Sequence, residues 1–401
     1  MPVLRRRAAG WCLANDLPDE ALEYSIAAGD VDAVAGLAGL LAVPAYQQGR
    51  VATVQRWFRW LEDRGGIEGH PLVAALAAII AALTARPADA ERWADLVDRW
   101  QYGDPARPGD PPAEAWAAVL RAMLCRHGVE RMRADADEAA LGFAAQGFTH
   151  PVPGLMQGIA RILAGDLDDA DAALQDAASV GEKANARDVL VVALCERSLV
   201  AMARGEWDRA GVLAGQARTA LRRAGAEDSY ATSLVCAAQA RVAVHRADVP
   251  AARRELVTAQ RLRPLLTYAL PHLAVQARIE LARVHLAVAD LAGARTLMRE
   301  IDELLRRRPA LGALAVEAQE LRAQLTRQRG SNAPGASSLT AAELRLLPLL
   351  STHMPFAEIA EDLFLSRNTI KTQAVSIYRK LGAASRSQAV AQARELGLLE
   401  G

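Results

Sequence analysis

The stretch AGDLDDA, residues 164–170, recurs three times further along the chain, as RGEWDRA (204–210), RADVPAA (246–252) and VADLAGA (288–294). The alanines that close these blocks, Ala170, Ala210, Ala252 and Ala294, stand 40, 42 and 42 residues apart. Three positions before each alanine is an apolar residue: Leu167, Trp207, Val249 and Leu291. Every block has an apolar, helix-forming segment on either side. The pattern predicts pairs of helices joined by a tight polar turn, with the small alanine letting the second helix approach the first closely. One such pair cannot bury its own apolar face, so neighbouring pairs must stack. The period exceeds the ~34 residues of a tetratricopeptide repeat, which predicts helices about one turn longer each.

Moving outward, the first 150 residues are less regular but similar in kind. PDEALEYSIAAGDVDAVAGLAGLLA (18–42) reads as a further helix pair around Gly29 and Asp30, and VATVQRWFRWLED (51–63) as an amphipathic helix. The proline-rich stretch QYGDPARPGDPPAEAW (101–116) reads as a loop. The 401 residues are enough for two or more domains with full cores. Ala and Leu dominate, aromatic residues make up only 4%, and β-branched runs are few, so the expected fold class is all-α. The formal net charge is +0, so any nucleic-acid site must be local rather than spread over the surface. The cysteines, Cys12, Cys125, Cys195 and Cys236, are far apart in apolar contexts and are expected as buried free thiols. Neither a transmembrane span nor a signal peptide is expected, and the chain is assigned to the cytoplasm.

The segment RGSNAPGASS (329–338) is rich in Gly, Ser, Asn and Pro and reads as a linker. Beyond it, Thr340 and Glu343 form a capping box that opens a helix running to about Leu350, bent or shortened by Pro348. A short helix over PFAEIAEDL follows, with Ile359, Ala360 and Leu363 inward. Ser366 caps a third helix, 367–381, and Ser385 with Gln388 opens a fourth, 386–396.

On the third helix Ile370, Ala374, Ile377 and Leu381 recur at i, i+4, i+7 and i+11, a buried stripe. The opposite face carries Asn368, Lys371, Thr372, Val375 and Arg379, flanked by Arg367 and Lys380. Only three lysines occur in the chain, Lys183, Lys371 and Lys380, and two of them lie on this helix, which has no acidic residue. A helix with bare cations on one face is what the second helix of a helix-turn-helix needs. Side chains there meet base edges in the major groove while cations meet phosphates.

Residues 339–399 resemble the LuxR-type helix-turn-helix domain. The features that match are LT..E, the EIA..L..S..TIK core, I..KLG, the arginine in the following turn and the ending A...GLL. The resemblance implies that helix 367–381 is the recognition helix. It implies Lys371, Thr372 and Val375 as base-facing residues, and Ser366, Asn368, Thr369, Arg379 and Lys380 as phosphate contacts. It also implies that the last helix, through Ala389, Val390, Ala393 and Leu396, pairs two domains on a two-fold or direct-repeat site. The sequence departs from the family pattern at Ala342, where arginine is usual, at Pro355, where a capping Ser or Thr is common, and at Gln373, a frequent histidine. The start MPVLRRRAAGWCLANDLPDEALEYSIAAGD resembles the helical region of large regulators of the MalT type. Those carry a nucleotide-binding module, yet no G-x-x-x-x-G-K-[ST] loop occurs in this sequence.

The expected organisation is a tetratricopeptide-like helical-repeat solenoid over 1–328, a linker over 329–338 and a small four-helix LuxR-type domain over 339–401. The expected function is sequence-specific regulation of transcription. The partners are double-stranded DNA, a second copy on that DNA, and an unidentified small-molecule, peptide or protein effector on the concave face of the solenoid or at its N-terminal end. The alternative is a helical-repeat scaffold with a vestigial DNA-binding domain, which predicts a disrupted recognition helix. No catalytic residue, metal site or cofactor is assigned. The acid-rich DDADAALQD (168–176) lacks the glycine and final glutamate of a calcium loop. The scattered histidines, among them His245 and His285 in successive repeats, read as packing or surface residues.

Overall fold

The computed structural model describes residues 2–100, 112–327, 339–352 and 354–399. The expected linker lies outside the described residues, as does most of the expected proline-rich loop. That loop ends earlier than expected, since Ala113–Trp116 already form the start of a helix.

Among the described residues the regular structure is entirely helical. The N-terminal part comprises α1 (Pro2–Ala14), α2 (Pro18–Ala28), α3 (Val31–Gln47), α4 (Val51–Glu62), α5 (Pro71–Leu83), α6 (Pro87–Asp98), α7 (Ala113–Leu124) and α8 (Val129–Ala145). The repeats are the pairs α9 (Pro151–Ala164) with α10 (Leu167–Lys183), α11 (Arg187–Ala203) with α12 (Trp207–Arg223), α13 (Tyr230–His245) with α14 (Val249–Leu262), and α15 (Pro271–Ala287) with α16 (Leu291–Arg307). A 3-10 turn, Arg263–Leu265, follows α14, and α17 (Ala313–Arg327) closes the array. The C-terminal unit contains α18 (Ala341–Leu350), α19 (Phe356–Asp362), α20 (Arg367–Leu381) and α21 (Arg386–Glu395).

The four sequence blocks are one repeated piece of structure. In each, a residue with left-handed backbone ends the first helix: Gly165, Gly205, Ala247 and Ala289, with φ of 86°, 76°, 58° and 60°. An acidic residue follows at the N-cap, and the apolar residue is the first of the second helix. Asp248 and Asp290 accept the Ala251 and Gly293 N–H groups at 2.9 Å, satisfying donors that a helix start leaves free. Ala170, Ala210, Ala252 and Ala294 are all fully buried, one turn into the second helix, where it meets the first.

The first helices of the pairs pack on one another in sequence, α9 to α11 to α13 to α15 to α17, as an inner layer. The second helices cover them and bury one stripe each, such as Ala170, Leu174, Ala177 and Gly181 on α10. The inner helices bury almost every face, and α15 is buried without a break from Pro271 to Ala282. Among the described residues the array therefore does not present the open concave face expected along its inner helices. The physical reason is closure. Arg308, after α16, donates to the Leu124 carbonyl at 3.0 Å and pairs with Glu91 of α6. Gly312, with φ +53°, packs so tightly that an added Cβ would lie 2.0 Å from the Leu163 carbonyl oxygen. Gln276 of α15 donates to Glu196 of α11 at 2.8 Å, reaching past the intervening repeat.

The cysteines are free and buried, as expected. Burial pushes the Cys125 thiol up to about 11 and Cys236 up to about 12, so both are inert at neutral pH. His245 stacks flat on Trp207 with ring centres 4.0 Å apart. His285 is buried and its Nδ1 lies 3.0 Å from the Asp290 carboxylate. The acid-rich stretch supplies Asp171, which binds Arg197 and Arg209. Two hydrophobic cores result, one running from Cys12 to Leu325 and one from Leu339 to Leu398.

Two outcomes follow from the turns. Ala289→Gly removes a left-handed alanine and is expected to be neutral or stabilising by up to about 1 kcal/mol, the relieved strain being partly offset by unfolded-chain entropy. Gly312→Ala forces a methyl into the Leu163 carbonyl and is expected to cost more than about 2 kcal/mol. Denaturant unfolding of the two variants checks both.

Glu196 gives a pH dependence. It is fully buried with one carboxylate oxygen unpartnered, and burial raises its pKa to about 8. The folded state thus keeps a proton that the unfolded state releases near the ordinary glutamate value of ~4.3, so this contribution to stability is complete below that value and declines up to about pH 8. Glu196→Gln is expected to stabilise the protein more at pH 8 than at pH 5, measured by thermal unfolding at both.

Candidate nucleic-acid interface

The C-terminal unit is built around α20. Thr340 Oγ1 accepts the Glu343 N–H and Glu343 accepts the Thr340 N–H, so the expected capping box opens α18. Pro348 does not end that helix, which continues to Leu350. Ser366 accepts the Thr369 N–H at 3.1 Å and starts α20, and Gly382, at φ 69°, ends it. Ile370, Ala374 and Ile377 are fully buried and Leu381 nearly so, against α18, α19 and α21.

That stripe turns the opposite face to solvent. Ser366, Arg367, Asn368, Lys371, Thr372 and Arg379 are exposed, and Val375 is 55% exposed. Thr369 is half-buried, its hydroxyl 2.8 Å from that of Ser366, and the Thr372 hydroxyl donates to the Asn368 carbonyl at 2.9 Å. These two hydroxyls stay within hydrogen-bonding reach of solvent but are already engaged locally. Arg379 stands in the last turn, where a cation complements the helix dipole. Phe364 lies in the turn before α20 with φ +53° and is 95% exposed.

Two expected roles meet a different placement. Lys380 Nζ sits 2.8 Å and 2.6 Å from the Glu343 carboxylate oxygens, and its side chain is only 19% exposed. It binds the recognition helix to α18 instead of facing a phosphate. Burial alone would raise Glu343, but Lys380 and the Thr340 N–H outweigh it and hold the carboxyl below its usual range. On α21, Ala389 and Ala393 are fully buried in the unit's own core, so they are closed to a second copy in this fold. Val390 and Leu396 are half-buried. The reason is the spacing of four, which puts the two alanines on the inward stripe of a short helix. Ser385 accepts the Gln388 N–H as expected, while the Gln388 side chain reaches back to Ala384, one residue earlier than in a capping box.

Arg386 is the residue whose task the sequence did not disclose. Its guanidinium donates to the carbonyls of Leu350, Met354, Leu349 and Thr352 at 2.8, 2.9, 3.1 and 2.8 Å. The carbonyls of Leu349 and Leu350 at the end of α18, and of Thr352 and Met354 just beyond it, are thereby fixed to the start of α21. The sequence signals were its position directly after the capping serine and its match to the arginine that the LuxR-type pattern carries in this turn.

A family model described as bacterial regulatory proteins of the luxR family matches residues 337–393. The C-terminal unit is a LuxR-family domain. Such a domain suggests a DNA-binding transcription regulator. No curated protein matches the chain. Among solved structures, a human IFIT1 dimer with PPP-AAAA aligns with 99% of this chain and 89% of its own, at 13% identity and a TM-score of 0.39. Among the described residues no group of three or more His, Cys, Asp or Glu is placed to hold a metal ion.

Removing the Arg386 side chain takes a donor from four carbonyls, of which Leu349 keeps the Thr352 N–H and hydroxyl. Arg386→Ala is expected to destabilise the LuxR-family domain by about 3 kcal/mol, given that hydrogen bonds to a charged group contribute about 1.5–3 kcal/mol each and that water recovers part of the loss. The melting of the C-terminal unit, followed by NMR of α21 amides, checks this.

Proposed function

We propose that this protein is a sequence-specific transcriptional regulator in which 339–401 reads double-stranded DNA, 1–328 senses an effector or partner, and 329–338 joins the two. The observation that carries the reading is the bare face of α20. Lys371 and Arg367 have no ion-pair partner among the described residues, and Lys371, Thr372 and Val375 stand exposed side by side on one face of a buried-stripe helix. In the major groove, Lys371 would meet guanine acceptors and Val375 a thymine methyl. Ser366, Asn368, Thr369 and Arg379 would meet phosphates and set the register. Lys380 is left out of that set, because Glu343 already holds it.

A single domain of this size makes few contacts, so two copies on one site are needed for useful affinity. The pairing surface is assigned to the exposed side of α21 and to Val390 and Leu396, with Ala389 and Ala393 supporting it from the core. The effector is assigned to the N-terminal end, where Asp19, Glu23, Tyr24, Arg50, Thr53 and Arg56 line a groove between α2 and α4. Arg50 pairs there with Asp19 and Arg56 with Glu23, so an ionic ligand would exchange one of these partners. Among the described residues no helix is long and apolar enough to cross a membrane, and the proposed location is the cytoplasm. The scaffold alternative requires a broken reading face, and the intact stripe and cap of α20 speak against it.

The test is selection from a random DNA pool, with the whole chain and Lys371→Ala compared at two salt concentrations. A defined, paired motif is expected for the native chain. Lys371→Ala is expected to lose about 1–3 kcal/mol and to relax the motif at one position. Arg379→Ala is expected to weaken all sequences equally and to reduce the salt slope by about one. No enrichment by the native chain, with identical weak binding by both variants, would support the scaffold instead.

A further inference from the structure

The LuxR-family domain is seated on the repeat array through a buried ionic cluster. Arg263, in the 3-10 turn after α14, is only 1% exposed. Its Nη2 donates to the Leu339 carbonyl, just ahead of α18, at 2.7 Å. Glu300 of α16 binds Arg263 at 3.1 Å and Arg278 of α15 at 2.9 Å. The same carboxylate accepts the Ala341 N–H at 2.6 Å. Ala341 is the first residue of α18, and its N–H is one that the helix itself cannot satisfy. A carboxylate at this position also meets the positive end of the helix dipole. A repeat helix thus supplies a cap to the first helix of the DNA-binding domain. Near the other end of that domain, Gly397 sits so close to α14 that an added Cβ would lie 3.1 Å from Val257 Cγ1.

The stoichiometry of the cluster shows what it is for. Two guanidiniums bind one carboxylate, and a third, Arg345 of α18, lies within the field of the same Glu300 while burial pulls it down from the ordinary arginine value. Arg278 also donates to the Ala274 carbonyl at 2.9 Å and to the Arg263 carbonyl at 3.4 Å, which holds the turn in place. Glu300 with Arg278 would suffice to neutralise the interior of the array. Arg263 is an added cation there, and among the described residues the acceptor its guanidinium reaches besides Glu300 is the Leu339 carbonyl of the other domain. Burial pulls Arg263 down from the ordinary arginine value, and Glu300 opposes that. Leaving so large a cation in the interior is costly unless a partner accepts its N–H groups.

We propose that the surface formed by Arg263, Glu300 and the Val257 face of α14 is a docking site for the LuxR-family domain of the same chain, and that it holds this domain with α20 facing outward. Reading and docking therefore use different faces. Lys371, Thr372 and Val375 remain exposed in the docked arrangement, so the repeat array aims the reading helix without covering it. A signal received by the repeats reaches the DNA through this seam. The consequence for DNA rests on the function proposed above, whereas the docking itself does not.

The test uses the whole chain carrying spin labels at Arg222→Cys on α12 and Ser387→Cys on α21, both exposed positions, while the native cysteines are buried. Pulsed electron resonance is expected to give one narrow distance. Arg263→Met leaves Glu300 paired with Arg278 and still able to accept the Ala341 N–H, so the array stays folded while the bond to the Leu339 carbonyl is lost. The distance is then expected to broaden and lengthen. Glu300→Gln, which keeps an acceptor for Ala341 but loses the charge, is expected to broaden it less. A broad distribution in the native chain, or a narrow one retained in Arg263→Met with circular dichroism unchanged, would overturn the proposal. DNA binding separates the two claims. Arg263→Met is expected to keep its affinity for a single half-site within about twofold, while Lys371→Ala loses about tenfold, the factor that 1.4 kcal/mol represents. A Lys371→Ala variant that binds as well as the native chain would sink the DNA reading and leave the docking standing.

Discussion

The structure depends on how closely the two helices of each repeat can approach at their turn. At Ala170, Ala210, Ala252 and Ala294 the second helix rests on the first with no exposed surface left. A larger side chain there would push the helices apart and break the spacing on which the next pair is stacked. The left-handed residue and the acidic cap that precede each alanine aim the second helix back along the first. Repetition then does the rest, since each inner helix finds its partners in the pairs before and after it. Closure at Arg308 and Gly312 ties the far end of the array to α6, α7 and α9, and so fills the space that an open solenoid would leave.

The same economy holds in the small C-terminal unit. A ten-residue helix and a seven-residue helix cannot bury much by themselves. Ionic and capping contacts supplement the apolar core. Glu343 serves the capping box and Lys380 together, and Arg386 gathers four carbonyls. These contacts leave the outward face of α20 uncommitted, and an uncommitted cationic helix face is what a major groove requires.

Much of this was legible in the sequence because it rests on local periodicity. The repeat turns, the Thr340 and Ser366 caps and the Ile370–Leu381 stripe each follow from spacing along one segment, and the structure places them as read. What was not legible depends on contacts distant in the chain. Lys380 looked like a free cation until Glu343, 37 residues earlier, took it. Ala389 and Ala393 looked like an interface because a small apolar stripe has the same pattern whether it faces a core or a partner. The closure of the array turns on Arg308 reaching Glu91, 217 residues away, which no window along the chain can anticipate. Arg263 was equally silent, one arginine among many until its burial set it apart.

The central claim is that α20 reads base edges in the major groove. The most direct measurement is methylation interference on a DNA site selected by the native chain, repeated with Lys371→Ala. Methyl groups on guanine N7 within the site are expected to block the native protein, and at one position the block is expected to disappear in the variant, because the contact it interrupts is already gone. Binding that is indifferent to N7 methylation throughout the site, and that responds only to modified phosphates, would contradict the account.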